Sequence, residues 1–244
     1  MYSTHYGHLL NLCGRKVGLT LILLCIGFGS MIAQRGPTNY ESFSKKNFYF
    51  GISLGYNTSN YHVVYDKSFI LNDTVWRLES SRGPGFNLGI VTNIKFGKNL
   101  DLRFNLPTLS FAERRLDYTL QSKEIVSRKI ESVFIDFPIQ FRYKSKPYHD
   151  MRAFVTFGAK YSLDLASNSR SRQAEDLIRI NRQDVLLEYG FGLQFFFPYF
   201  ILSPEIKFSH GLMNIHDRND ALIYSSVLEK LFARGITISF HFEG

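Results

Sequence analysis

From Phe48 onward, apolar side chains recur at every second position. The first run sets Phe48, Phe50, Ile52, Leu54 and Tyr56 against Tyr49, Gly51, Ser53 and Gly55. The second opposes Phe86, Leu88, Ile90, Ile94 and Phe96 to Asn87, Gly89, Asn93 and Lys95, and the third opposes Leu100, Leu102, Phe104 and Leu106 to Asp101, Arg103 and Asn105. Pro107 breaks that run, and Leu109 and Phe111 resume it in the other parity, which predicts a bulge. Further runs carry Val133 to Tyr143, Val155 to Leu163, Val185 to Phe195, a weaker Leu202 to Phe208, and Ile236 to Phe242. Alternation at period two is the pattern of strands with two unlike faces, so the chain predicts eight of them.

Short connections fall at Gly97–Asn99, Ser145–Asp150 and Phe197–Tyr199. Long ones fall at Asn57–Gly85, Glu113–Lys129, Ala166–Gln183 and Leu212–Phe232. An even number of antiparallel strands joined by alternating short and long links describes an all-β, eight-stranded up-and-down barrel. Side-chain volume decides what surrounds it. The apolar rows hold roughly forty large side chains, more than the interior of eight strands can accept. The opposite rows are rich in Gly, Ser and Asn. The rows therefore predict lipid outside and small polar groups inside, with short turns toward the periplasm and long loops outward.

The first 33 residues read differently. Arg15 and Lys16 precede an uncharged apolar run from Val17 to Ala33, the order of a secretory signal. Residues 1–33 are expected to be a signal peptide cut after Ala33, with an uncleaved anchor as the alternative. Residues 34–46 then form a basic periplasmic linker, and 47–244 the barrel. Cleavage removes both cysteines, Cys13 and Cys25, and two of the basic residues behind the formal charge of +8. Aromatics make up 16% of the chain, which excludes a disordered polypeptide. A mean hydropathy of −0.11 with one apolar stretch near spanning length excludes a polytopic helical membrane protein. Neither metal-ligand spacing nor a Cys/His cluster is present, so no metal or cofactor is expected.

An eight-stranded barrel is filled rather than open. Asp136, Arg142, Lys160, Glu188, Glu205 and Lys207 fall on inward rows, where burial requires pairing, and are expected to form lumen ion pairs. Function is then expected on the rims, the loops or the lipid face. Ser209-His210 superficially suggests a hydrolase pair, but neighbours on a strand point to opposite faces. His216-Asp217 lacks a nucleophile, and Arg82-Gly83-Pro84-Gly85 lacks the Lys-Ser/Thr of a phosphate loop. No catalytic residues are assigned. The inner rim gathers Lys45, Lys46, Lys95, Lys98, Lys144, Lys146 and Arg152 against Asp101 and Asp150. Lys45, Lys46, Lys98, Lys144, Lys146 and Arg152 are candidates for docking an acidic partner or acidic head groups, with plain solvation of the rim as the alternative. In the fourth loop, Leu222, Val227, Leu228 and Leu231 lie near helical spacing and predict a short amphipathic helix within Asp220–Phe232.

The run Glu131-Ser132-Val133-Phe134-Ile135-Asp136-Phe137-Pro138-Ile139-Gln140-Phe141-Arg142-Tyr143-Lys144 resembles the PorT family of the type IX secretion system. The resemblance covers roughly residues 47–244. It implies a non-enzymatic outer-membrane component needed to export proteases and adhesins that bear a C-terminal sorting domain. Implied partners are outer-membrane lipid and lipopolysaccharide, a larger translocon and periplasmic components, and no nucleic acid. The family carries no established catalytic residues, so none transfers. Asp73-Thr74-Val75 is similar to the O-glycosylation motif of exported Bacteroidetes proteins. A lipid A-modifying enzyme and a stand-alone adhesin or envelope-stabilising barrel remain the alternatives.

Overall fold

The computed structural model describes residues 39–66, 75–120, 122, 124–166, 179–217 and 227–244. The signal segment, the glycosylation-like Asp73-Thr74 and Leu222 lie outside them. A short helix, α1 (Asn39–Ser44), precedes β1 (Phe48–Tyr65), β2 (Val75–Lys95), β3 (Leu100–Asn105), β4 (Thr108–Leu120), β5 (Ile125–Lys144), β6 (Met151–Asp164), β7 (Arg179–Ile180), β8 (Gln183–Phe196), β9 (Ile201–Gly211), β10 (His216–Asp217) and β11 (Leu228–Glu243). Antiparallel pairing runs from β1 through β11, β9, β8, β6 and β5 to β3/β4, then β2, and closes on β1. β3 and β4 are one barrel strand interrupted at Leu106-Pro107, so the ring has eight strands, as the alternation predicts. Closure leaves no unpaired edge inside the membrane, where nothing could satisfy one.

The interruption is the expected bulge. Phe104 faces Ile139 and Thr108 faces Asp136, so four steps on one strand oppose three on the other. Proline has no N–H to give the ladder, and the extra residue moves it out of register. The parity change then keeps Leu109 outward and Ser110 inward.

Alternation translates into two opposite surfaces. Phe86, Phe141 and Phe157 are all more than half exposed, while Arg103 and Arg142 are sealed inside at 1% and 0%. A water-soluble protein does not carry a continuous belt of exposed Phe, Leu and Ile around its waist. Tyr148, Tyr199, Phe96 and Phe48 stand exposed near the short turns, the position of a membrane-interface girdle.

Three sequence-based expectations need correction. Asn57–Gly85 and Glu113–Lys129 are not loops: β1 continues to Tyr65, β2 begins at Val75, and β4 pairs with β5 as far as Thr119 and Ile125. Beyond the lipid belt the outward face becomes polar, so the hydrophobic alternation fades although the strands go on. Val227, Leu228 and Leu231 form no helix; β11 starts at Leu228, and all three side chains are buried. Finally, Asn39–Ser44, within the supposed linker, is a helical turn with Phe43 buried.

Candidate functional site

The interior is packed in layers from the periplasmic end to the outer end. At the periplasmic end α1 is held against the barrel. Asp150 accepts from the Tyr40 N–H at 3.1 Å and from Asn39 Nδ2 at 3.3 Å, satisfying the start of the helix. Lys95 Nζ donates to the Phe43 and Ser44 carbonyls at its other end. Tyr40 and Phe43 pack on Phe196, with ring centroids 5.2 and 6.2 Å apart. Phe43, Tyr49, Phe196 and Ile201 make a small apolar cluster there.

Above it lies a layer of charge. Arg103 donates from Nη1 to Glu205 at 2.9 Å, from Nη2 to Glu243, and from Nε to Asn93 at 2.9 Å. Arg142 bonds Asp101 at 3.1 Å, Glu243 at 3.5 Å and the Tyr49 hydroxyl. Lys144 also bonds Asp101, and His241 Nε2 lies 2.8 Å from Glu205. The Phe154 ring sits against both guanidinium groups, 5.1 Å from Arg142 and 5.9 Å from Arg103. Gly192 makes room for that ring: a Cβ there would stand 2.5 Å from Phe154 Cζ.

A second polar layer follows. Lys160 Nζ reaches Asp136 at 3.4 Å and Glu188 at 3.3 Å, and Lys207 reaches Glu188 at 3.7 Å. Ser110, Ser162, Gln140 and Ser209 complete the hydrogen bonding of the two carboxylates. Next to this layer is a void of about 40 Å³, room for little more than a water. Arg114 marks the end of the polar lumen, its guanidinium 4.9 Å from the rings of both Tyr61 and Phe134.

The outer end inverts the pattern. Tyr61, Leu78, Leu116, Ile180, Leu186, Ile215, Leu228 and Leu231 form a buried apolar core inside the barrel wall. Ile180 lies on β7 and Ile215 just before β10, two short strands that pair with each other across this mouth. Outside, beyond the belt, exposed ion pairs take over: Lys129 and Arg115 bond Glu113 at 2.8 and 2.6 Å. Those hydrogen bonds hold the Glu113 carboxyl below the ordinary carboxylate range, as the Ser127 and Ser81 hydroxyls do for Asp117.

Of the residues singled out in the sequence, Asp136, Lys160, Glu188 and Lys207 meet in one cluster. Arg142 and Glu205 belong to the other, with partners the charge rows did not single out: Asp101, Arg103, His241 and Glu243. All four of those lie on the inward parity, which was the available signal. Lys144 and Arg152 are corrected. Both are inward and buried, Lys144 on Asp101 and Arg152 on the carbonyls of Ser145 and Lys98, so neither stands on the exposed rim. Lys45, Lys46, Lys98 and Lys146 remain exposed on the rim. Ser209 points inward to Glu188, whereas His210 points outward to the Tyr189 hydroxyl at 3.0 Å, so the two share no site.

Comparison with known proteins adds a family. The outer membrane protein beta-barrel domain matches residues 32–217. The chain belongs to that family. Among solved structures this outer-membrane barrel is similar to OprG of Pseudomonas aeruginosa, at 12% identity and TM-score 0.47, covering 81% of this chain and 95% of that one. Neisserial surface protein A matches at 8% identity and TM-score 0.43 over 81% and 97% of the two chains. Ail, the attachment invasion locus protein of Yersinia pestis, matches at 16% and 0.36 over 82% and 100%. No curated protein matches the sequence of this outer-membrane barrel.

Proposed function

We propose that this barrel is a non-enzymatic component of the type IX protein secretion machinery, an accessory or assembly subunit standing beside a larger translocon. The observation that carries the reading is the filled lumen. Two ionic layers and an apolar core lie in series, so the barrel serves export through its surfaces and not through its middle. Its resemblance to the PorT family, strongest along Glu131–Lys144, supplies the machinery; the sealed interior fits a subunit and not a conduit. On this reading residues 1–33 are the export signal, and the partners are membrane lipid, lipopolysaccharide, the translocon and periplasmic components.

The exposed Lys45, Lys46, Lys98 and Lys146 suit an acidic periplasmic partner. A lipid A-modifying enzyme would need convergent polar groups facing the membrane. A lipid-facing groove of about 650 Å³ is walled by Val155, Phe191, Leu193, Ile206 and Ile238. That chemistry suits an acyl chain and favours the non-enzymatic reading.

Deleting the gene should stop export of proteases bearing the sorting domain, and the wild-type gene should restore it. Replacing the four rim lysines by Glu should leave a folded barrel that recovers less of its partner in mild detergent. Normal protease export in the deletion strain removes the secretion role.

A further inference from the structure

Between α1 and the lower ionic layer lies a cavity of about 400 Å³ at the periplasmic mouth, well within the size range of small-ligand pockets. Its charge is one-sided. Lys95, Lys98, Lys144 and Arg152 line it, and among the described residues no Asp or Glu does. Carboxylates that touch its lining residues are engaged: Asp101 with Lys144, Arg142 and Tyr49, and Asp150 with the Tyr40 N–H at the start of α1. Arg152 is 5% exposed, yet among the described residues it has no ion pair. Its Nε and Nη2 reach the Ser145 and Lys98 carbonyls at 3.0 and 2.8 Å, and Nη1 has only the Tyr40 hydroxyl at 3.4 Å. Its guanidinium also lies 5.3 Å from the Tyr40 ring centroid, but a buried cation facing only neutral oxygens and a ring is still costly without a negative charge nearby.

A second observation points the same way. Gln194 lines the cavity at 1% exposure, and among the described residues neither its amide nitrogen nor its carbonyl oxygen has a hydrogen-bond partner. A buried amide with both ends unmet favours a ligand group that can meet them. Four aromatic rings, Tyr40, Phe43, Tyr49 and Phe196, form much of the remaining wall. We infer that this vestibule is a binding site for an oxyanion, carboxylate or phosphate, carried on an aromatic or apolar body. The oxyanion meets Arg152 and Lys95, its polar flank meets Gln194, and its body lies against Tyr40 and Phe196. The inference is independent of the secretion role, since it rests on the cavity alone.

The test is calorimetry on the full barrel in an uncharged detergent, with phenyl phosphate, phenylacetate and inorganic phosphate as probes. Folding of each variant is verified by its resistance to SDS before heating. Wild type should bind an aromatic oxyanion more tightly than inorganic phosphate, and the tighter of phenyl phosphate and phenylacetate identifies the anionic group. Arg152→Gln should weaken binding at least about tenfold. Gln194→Leu should also weaken it while leaving the ligand-free barrel as stable or more so, because an unmet buried amide is gone. That pair of effects is one a merely structural residue would not produce. Lys146→Gln, outside the cavity, should bind as wild type. No binding by folded wild type up to about 10 mM, equal affinity for phenyl phosphate and inorganic phosphate, or wild-type affinity in both vestibule variants would each overturn the site.

Discussion

Arg103 shows how one side chain organises this interior. It rises from β3 and bonds Asn93 on β2, Glu205 on β9 and Glu243 on β11, so a single guanidinium ties together strands from around the ring. Alternation already placed Arg103 and Asp101 on the inward row. It could not name their partners, because strand tilt decides which levels of opposite walls meet, and tilt leaves no mark in local sequence. Breaking a buried pair costs more than the pair contributes, since the abandoned carboxylates stay in place. Arg103→Met should therefore lower unfolding free energy by about 3–5 kcal/mol. Urea midpoints of the refolded barrel in micelles measure it. Lys129→Met, which breaks an exposed pair with Glu113, should shift the midpoint far less. Equal shifts would mean that water reaches the Arg103 layer.

At the level of elements, legibility follows the solvent. Inside the bilayer one face of every strand must be apolar, so Phe48–Tyr56 or Ile135–Tyr143 announces itself. Past Asn57 and Glu113 the same strands leave lipid, and their outward residues become polar, as at Thr58, Asn60, Arg115 and Lys129. The interior there turns apolar instead, with Tyr61, Leu116 and Leu231 buried. A strand whose inner and outer preferences exchange halfway along reads in sequence as its own end. The short α1 was hidden for another reason: its hold comes from Asp150, Lys95 and Phe196, all remote in the chain. β11 allows the exchange to be tested within one strand. Leu231→Ala would open a cavity in the outer core and should cost about 2–5 kcal/mol. Phe240→Ala on the lipid face should cost less, because acyl chains or detergent tails can fill the space it leaves. Unfolding midpoints of the two variants decide. A larger loss at Phe240 would mean that the belt, and not the outer core, anchors this strand.

For the whole molecule the question is what such a plugged cylinder can move. An ion entering from the periplasm meets α1 and its vestibule, then the Arg103–Arg142 layer, then the Lys160–Glu188 layer, and finally the apolar core. Among the described residues, the void beside the second layer is about 40 Å³. Barriers in series do not fail singly. Purified barrel in planar bilayers should show no discrete conductance steps, and Arg103→Ala with Arg142→Ala should stay silent while it remains folded, because the upper layer and the core still close the path. If the wild type conducts in steps, the layers must rearrange together and the barrel becomes a candidate conduit. If it stays silent while export depends on it, the cargo passes elsewhere. What the barrel can then contribute lies on its outer surfaces: the lysine rim, the lipid belt and the vestibule beneath α1.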